Sequence, residues 1–229
     1  MYEAPNTTEF PQCVIFDLDG TLLDTSAGIV ESVRHAVKTL GFPALSQKQL
    51  LSFIGPPLQD SFRRCCGCTE AEAEALTEEF RVYYSAGAVL NAVPYDGIET
   101  LCEALRARGV PLAVATAKPQ TFSVPLLRHF GLDRFFAVIR GPALEGGLRK
   151  PDLIRLCVED LGADAEKCVM VGDTEHDAAG AQTAGVPFLA VRYGFGDAEK
   201  MLRCPHVGVA DTPGDILRIL TEREENAHA

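Results

Sequence analysis

The chain has 229 residues, 47% of them hydrophobic and 23% charged, and its 21 lysines and arginines against 32 aspartates and glutamates leave a formal net charge of −11. That mix excludes a disordered chain and suits a globular one long enough to build a core without disulfides or a structural metal. The acidic excess has no basic stripe to offset it, which excludes nucleic acid and anionic membrane surfaces as main partners; a small phosphorylated ligand, held by a local pocket, stays open.

Residues 1–10 are polar and acidic, without the basic start and apolar centre of a signal peptide, and no apolar run reaches membrane-spanning length. A cytoplasmic protein is expected. Residues 12–16 (QCVIF) predict a buried strand. Four more are predicted at 111–116 (PLAVAT), 135–140 (FFAVIR), 168–171 (CVMV) and 187–191 (PFLAV), with a sixth, edge strand at 206–209. Runs apolar on both faces suit a parallel sheet covered by helices on each side. Helical patterns at 98–108, 119–130, 151–161 and 177–184 each stop before a glycine, Gly109, Gly131, Gly162 or Gly185, the residue that most easily turns left-handed after a helix. Thr212-Pro213 opens a last helix.

Between residues 25 and 92 the alternation fails. A helical pattern covers 26–40, with Ile29, Val33, Ala36, Val37 and Leu40 on one face; capping boxes start at Ser46 and Thr69, and a second long helix covers 77–86. The fold class is therefore α/β: a Rossmann-like parallel-sheet core from 1–24 and 93–229, interrupted by an all-helical cap domain at 25–92 that works as a lid. Of the eight cysteines, Cys65 and Cys68 form a C-x-x-C. Without a second pair at zinc spacing it reads as a helix end rather than a metal or redox site.

The first strand runs into Asp17-Leu18-Asp19-Gly20-Thr21. Ligands of parallel α/β sheets bind beyond the carboxyl ends of strands, and alternation puts Asp17 and Asp19 on one side. Two close carboxylates repel, which a divalent cation or one shared proton relieves. The fourth strand runs into Gly172-Asp173-Thr174-Glu175-His176-Asp177, bringing Asp173 and Asp177 to the same edge. Carboxylate oxygens without nitrogen ligands favour magnesium over zinc. The second strand ends at Thr116, a hydroxyl donor, and Lys150 stands at a helix start, where charge and dipole both attract phosphate.

Two acids, a hydroxyl, a lysine and an acid pair, in this order, resemble the haloacid dehalogenase (HAD) superfamily, in the phosphatase branch with a helical cap. Asp17-x-Asp19-Gly20-Thr21 matches its first motif, Thr116 the second, Lys150 the third and Gly172-Asp173-x-x-x-Asp177 the fourth. The resemblance covers almost the whole chain. It implies a nucleophile at Asp17 that becomes an aspartyl phosphate, and a general acid and then base at Asp19. It further implies phosphate binding by Thr116 and Lys150, and Mg²⁺ held by the Asp17 carboxylate, the Asp19 backbone carbonyl and Asp173, with Asp177 supporting. An acid at Asp19 fits phosphoester hydrolysis, because an alkoxide leaves poorly without a proton. Residues 53–62 (FIGPPLQDSF) resemble the loop with which related caps face the active site. Its I-G-P-P-L looks like the branch called phosphoglycolate phosphatase or 5′-nucleotidase, and it lacks the arginine that sugar-phosphate mutases carry at about Leu58. The implied activity is a Mg²⁺-dependent phosphomonoester hydrolase acting on a small phosphorylated metabolite, for which a monomer is plausible. The alternatives are a phosphotransferase or mutase of the same fold, and a non-catalytic phosphate-ligand binder.

Several residues carry plainer expectations. Thr116 also suits an N-cap for the helix after it. Lys118, Glu145 and Arg149 read as loop charges, His176 as solvent-facing, and Tyr193 and Phe195 as packing. Arg63 or Arg64 is weighed as a contact to a substrate anion against the default of helix-surface arginines. Gly194-Phe195-Gly196 is too short a pattern to signal a dinucleotide.

Overall fold

The computed structural model describes residues 10–144 and 147–227. Most of the N-terminal stretch read as lacking a leader, and Glu145, read as a loop charge, lie outside the described residues. The chain divides into two compact units, one running to Leu23 and resuming at Pro94, the other Asp24–Val93.

In chain order the elements begin with β1 (Cys13–Phe16) and β2 (Leu23–Asp24), followed by α1 (Ser26–Thr39), α2 (Gln47–Leu51), α3 (Leu58–Cys66) and α4 (Glu70–Ser85). Then come β3 (Val93–Pro94), α5 (Ile98–Ala107), β4 (Leu112–Ala115), α6 (Gln120–His129), β5 (Phe136–Arg140) and α7 (Lys150–Leu161). The chain closes with β6 (Cys168–Gly172), α8 (Glu175–Ala184), β7 (Phe188–Val191), α9 (Ala198–Met201), β8 (Gly208–Ala210) and α10 (Pro213–Ala227).

Six parallel strands form one sheet in the order β5-β4-β1-β6-β7-β8. All four residues of β1 are buried, because β1 is central and covered on both faces. Phe16 lies opposite Val114 of β4 and Val171 of β6. Ile15, Ala113, Ala115 and Met170 pack against Leu153, Ile154 and Cys157 of α7 and Ala178 and Ala181 of α8. Cys13 and Cys168 are register partners, and the Cys13 thiol donates to Cys168 Sγ at 2.9 Å. Counted among themselves, the six strands run third, second, first, fourth, fifth, sixth, the order of a doubly wound nucleotide-fold sheet. Winding reverses between β1 and β6, and the crevice beyond their carboxyl ends is where such sheets bind ligands. Asp17 is the first residue after β1, and Asp173 the first after β6.

The second unit is helical, with the chain entering and leaving it through β2 and β3. Both capping boxes form: Ser46 Oγ accepts from the Gln49 amide and Thr69 Oγ1 from the Glu72 amide. Phe53 and Phe62 pack edge to face at 4.8 Å, and the His35 ring stacks on Tyr83 at 4.1 Å. Asp24 caps α1 by accepting from the Ser26 amide at 2.9 Å. One expectation needs correction: residues 53–62 are not one loop. Leu58–Cys66 is helix α3, started by Pro57, carrying Asp60 in its first turn, burying Ser61 and Phe62, and stopped by Gly67 at φ +64°. Arg64 on that helix donates to the Ser52 carbonyl at 3.0 Å, a bond within its own unit.

Candidate active site

Asp17, Asp173 and Asp177 are all buried, and one carboxylate oxygen from each lies within 4.8 Å of the others. Local hydrogen bonding sets each of them. The Asp17 amide still belongs to the sheet, donating to the Val171 carbonyl at 2.9 Å, so its side chain leaves from the strand end. Asp173 is clamped: Oδ2 accepts from the Phe195 and Gly196 amides at 2.8 and 3.2 Å, and Oδ1 from the Thr21 hydroxyl at 3.3 Å. Asp177 divides its oxygens. Oδ2 closes the capping box of α8, accepting from the Thr174 amide at 3.0 Å and the Thr174 hydroxyl at 2.7 Å. Oδ1 faces the Lys150 ammonium, whose Nζ stands 2.8 Å away.

Lys150 opens α7, and its Nζ donates to Asp17 Oδ1 at 2.8 Å and to the Ala115 carbonyl at 3.0 Å. Gly180 of α8 makes room for its stem, since a Cβ there would fall 2.6 Å from Lys150 Cγ. Burial first, then the charges of Asp177 and Asp19, push Asp17 up to about 7 against the opposing pull of Lys150. Burial, Asp177 and Asp17 push Asp173 up to about 8, against the two amide bonds from Phe195 and Gly196. Burial alone would lower Lys150, but Asp17 and Asp177 outweigh it and raise it, so the ammonium stays charged.

The set of groups has a charge deficit. Three buried carboxylates against one buried ammonium leave a formal −2 when the acids are ionised. An all-oxygen donor set with that deficit fits a hard divalent cation, Mg²⁺ before Zn²⁺. The backbone is shaped to the same purpose: a Cβ on Gly20 or Gly194 would lie 2.3 Å from Asp173 Oδ2. Gly194→Ala is therefore expected to displace the Asp173 carboxylate and weaken Mg²⁺ binding about 10–100-fold. Calorimetric titration of the variant with Mg²⁺ reads this directly, and an unchanged affinity would refute it.

Thr116 is buried at the end of the second sheet strand, where its amide donates to the Arg140 carbonyl at 3.0 Å. Its Oγ1 accepts from the Lys118 amide at 3.1 Å, so it caps a turn and not α6, whose N-cap is Pro119, without a side-chain cap. An accepting hydroxyl keeps its own proton to donate elsewhere. Asp19 is buried, and Lys118 Nζ lies 3.1 Å from its Oδ1. Lys118 does stand in the loop after β4, but its charge is buried and paired rather than solvated, which corrects the plainer expectation. A lysine three residues past a strand end, before proline, looks like any loop lysine; its burial is fixed by tertiary packing alone. Asp19 is absent from the carboxylate cluster, so only its backbone carbonyl remains as a candidate ligand.

Gly194-Phe195-Gly196 also has a role that its sequence does not signal. It is the turn whose amides hold Asp173, and Gly196 has no room for a side chain, since a Cβ there would sit 1.9 Å from the Asp173 carbonyl oxygen. Tyr193 joins it, donating to the Thr21 carbonyl at 3.0 Å and packing on Tyr95 at 4.8 Å. Burial and the Asp173 charge raise the phenol, so it remains a donor. His176 and Arg149 are exposed, and Arg149 only caps α7.

Comparison with known proteins agrees with this geometry. The sequence profile of the haloacid dehalogenase-like hydrolases matches residues 14–191. A 5′-nucleotidase of Pseudomonas aeruginosa is 40% identical over 189 residues, covering 82% of this chain and 86% of the relative. A protein named tyrosine-protein kinase PtkA, from Mycobacterium tuberculosis, is 40% identical over 198 residues, covering 86% of this chain and 67% of that one. The crystal structure of a predicted phosphatase from Clostridium acetobutylicum superposes with a TM-score of 0.87 at 34% identity, covering 93% of this chain and all of the other. Among the described residues no helix is long and apolar enough to cross a membrane. With several further relatives named as phosphatases, the chain belongs to the haloacid dehalogenase-like hydrolases and is a phosphatase of that family.

Proposed function

We propose that the protein is a cytoplasmic, Mg²⁺-dependent phosphomonoester hydrolase that acts on a small phosphorylated metabolite, phosphoglycolate-like or nucleotide-like, through an aspartyl phosphate on Asp17. The observation that carries this reading is the buried trio Asp17, Asp173 and Asp177, with Lys150 bridging Asp17 and Asp177, at the point where the sheet reverses its winding. Asp17 attacks phosphorus. Asp19 gives a proton to the departing alkoxide and later takes one from water. Thr116 and Lys150 hold the transferring oxygens, over which the transition-state charge is spread. The Asp17 carboxylate, the Asp19 carbonyl and Asp173 would hold Mg²⁺, with Asp177 orienting the set. The ion supplies Lewis-acid charge to the phosphoryl group. The other chain groups keep these acids in place: Thr21, Phe195 and Gly196 on Asp173, Thr174 on Asp177.

The test is a panel of phosphoglycolate, nucleoside monophosphates, sugar phosphates, pyrophosphate and p-nitrophenyl phosphate, assayed for phosphate release with Mg²⁺ and with chelator. Turnover that persists in chelator defeats the metal requirement, and no release from any member defeats the hydrolase. A second reading, phosphoryl transfer to a hydroxyl acceptor other than water, is favoured by the relative named as a tyrosine kinase. The same nucleophile serves it. Phosphate release matching alcohol release selects hydrolysis; transfer to an added alcohol or tyrosyl peptide at the expense of phosphate selects the second.

Proton linkage gives an independent check. Asp17 and Asp173 bind protons more tightly folded than unfolded, with values near 7 and 8 against the usual 3.8. The metal-free fold thus loses stability from these two groups as pH rises from about 4 through 8. Mg²⁺ competes with those protons and binds the folded site. A saturating addition is expected to raise the melting temperature more at pH 8 than at pH 6. Equal increments at both pH values, or none, would count against the metal assignment.

A further inference from the structure

We propose that Lys118 is a positioning residue for the reaction: by gripping Oδ1 of Asp19, its buried ammonium fixes the plane in which that carboxyl exchanges a proton with the leaving-group oxygen. The proposal rests on the acid–base role given above to Asp19. The contact is 3.1 Å long, and the side chains of Lys118 and Asp19 are 6% and 10% exposed. A surface pair of this kind does little, since water screens it and two mobile stems must be stilled. A buried pair costs desolvation on both partners, which an apolar pair would avoid, so its retention asks for a reason beyond stability.

The backbone under Lys118 is held from several sides, which an incidental lysine would not need. Its amide donates to Thr116 Oγ1 at 3.1 Å, and the Gln120 amide donates to the Pro142 carbonyl at 3.0 Å. Gly141 closes over it: a Cβ at that position would fall 2.4 Å from the Lys118 carbonyl oxygen, so the approach requires glycine. The segment that carries Lys118 is also the segment that carries Thr116, tied to the sheet through the Arg140 carbonyl at 3.0 Å. One rigid turn therefore places both a phosphate-binding hydroxyl and the cation on Asp19. Lys150 does not take its place, because its ammonium lies beside Asp17, Asp177 and the Ala115 carbonyl rather than beside Asp19. The two buried lysines divide the work, Lys150 on the nucleophile and Lys118 on the acid.

The experiment compares leaving groups, a readout that loss of fold does not mimic. A poor alkoxide needs the proton from Asp19; p-nitrophenolate leaves without it. The quantity is kcat/KM for p-nitrophenyl phosphate and for the alkyl monoester of the panel that the wild type hydrolyses fastest. Asp19→Asn is expected to lose about 100-fold or more on the alkyl ester and under about tenfold on the aryl ester. Lys118→Met is expected to show the same pattern, weaker, at about tenfold against less than about threefold. Lys118→Arg should recover part of the alkyl loss, and Lys118→Met added to Asp19→Asn should bring no further selectivity. Where the Met variant does not fold, Lys118→Gln takes its place. Equal losses on both esters, or no loss, overturn the proposal. A selective Asp19→Asn beside a non-selective Lys118 variant overturns it alone, whereas a non-selective Asp19→Asn overturns the Asp19 role and this inference with it.

Discussion

Asp17→Asn is expected to lower kcat by about 10⁴-fold or more on every member of the phosphate panel, with folding nearly intact. The amide keeps the size of the carboxyl and its place at the end of β1, but its nitrogen and neutral oxygen are poor nucleophiles. The loss should not depend on the leaving group, because the attacking atom is missing whatever departs. That separates it from the Asp19 and Lys118 variants, whose losses scale with the need for a proton. Stability should change little. The substitution takes a partner from Lys150, which keeps Asp177 at 2.8 Å, and it removes an acid that burial already disfavours as an anion. Rapid acid quench during turnover, followed by peptide mapping, should find phosphate on the peptide holding residue 17 in the wild type and none in the variant. A variant that retains more than a few per cent of the activity would remove the aspartyl phosphate from the mechanism.

The sequence signals that proved legible were those with a local cause. Apolar runs mark the six sheet strands to within a residue or two at their ends; the central four, β4, β1, β6 and β7, are buried on both faces and carry no polar side chain to blur the run. Capping boxes at Ser46, Thr69 and a proline at 213 marked helix starts that the chain then makes. Asp17, Asp173 and Asp177 were legible because each directly follows a strand or starts a helix, so topology alone carries them to one edge. What stayed hidden is what tertiary contact decides. Helix α3, whose arginines and cysteine end the sequence does place on a helix, begins earlier than the sequence suggests: Gly55-Pro56-Pro57 reads as the middle of a loop, while the burial of Ser61 and Phe62 that sustains the first turns depends on Phe53 coming back to meet them. Lys118 and the turn at Phe195 were missed because nothing near them in sequence says that they meet Asp19 and Asp173. Their partners lie 99 and 22 residues away.

The largest stability effect should come from Lys150→Met. The methionine fills much the same volume, but Asp17 and Asp177 lose the ammonium that stands 2.8 Å from each, and the Ala115 carbonyl loses a donor. Removing one partner of a buried ion network typically costs about 3–5 kcal/mol, which for a domain of this size is a fall of about 6–20 °C in melting temperature. The pH dependence fixes the cause. Lys150 pulls Asp17 down, so without it the folded carboxyl rises further above its unfolded value. A raised acid loses stability as pH climbs from the unfolded value through the folded one, and the variant therefore loses more over that range than the wild type. The gap between the two melting temperatures should widen from pH 5 to pH 8. Mg²⁺ should then narrow it at pH 8, because a divalent cation replaces positive charge where the ammonium stood. A gap that is constant across pH would mean that Lys150 acts through packing of its stem against Gly180 and not through charge, and the electrostatic account of the whole carboxylate trio would have to be given up.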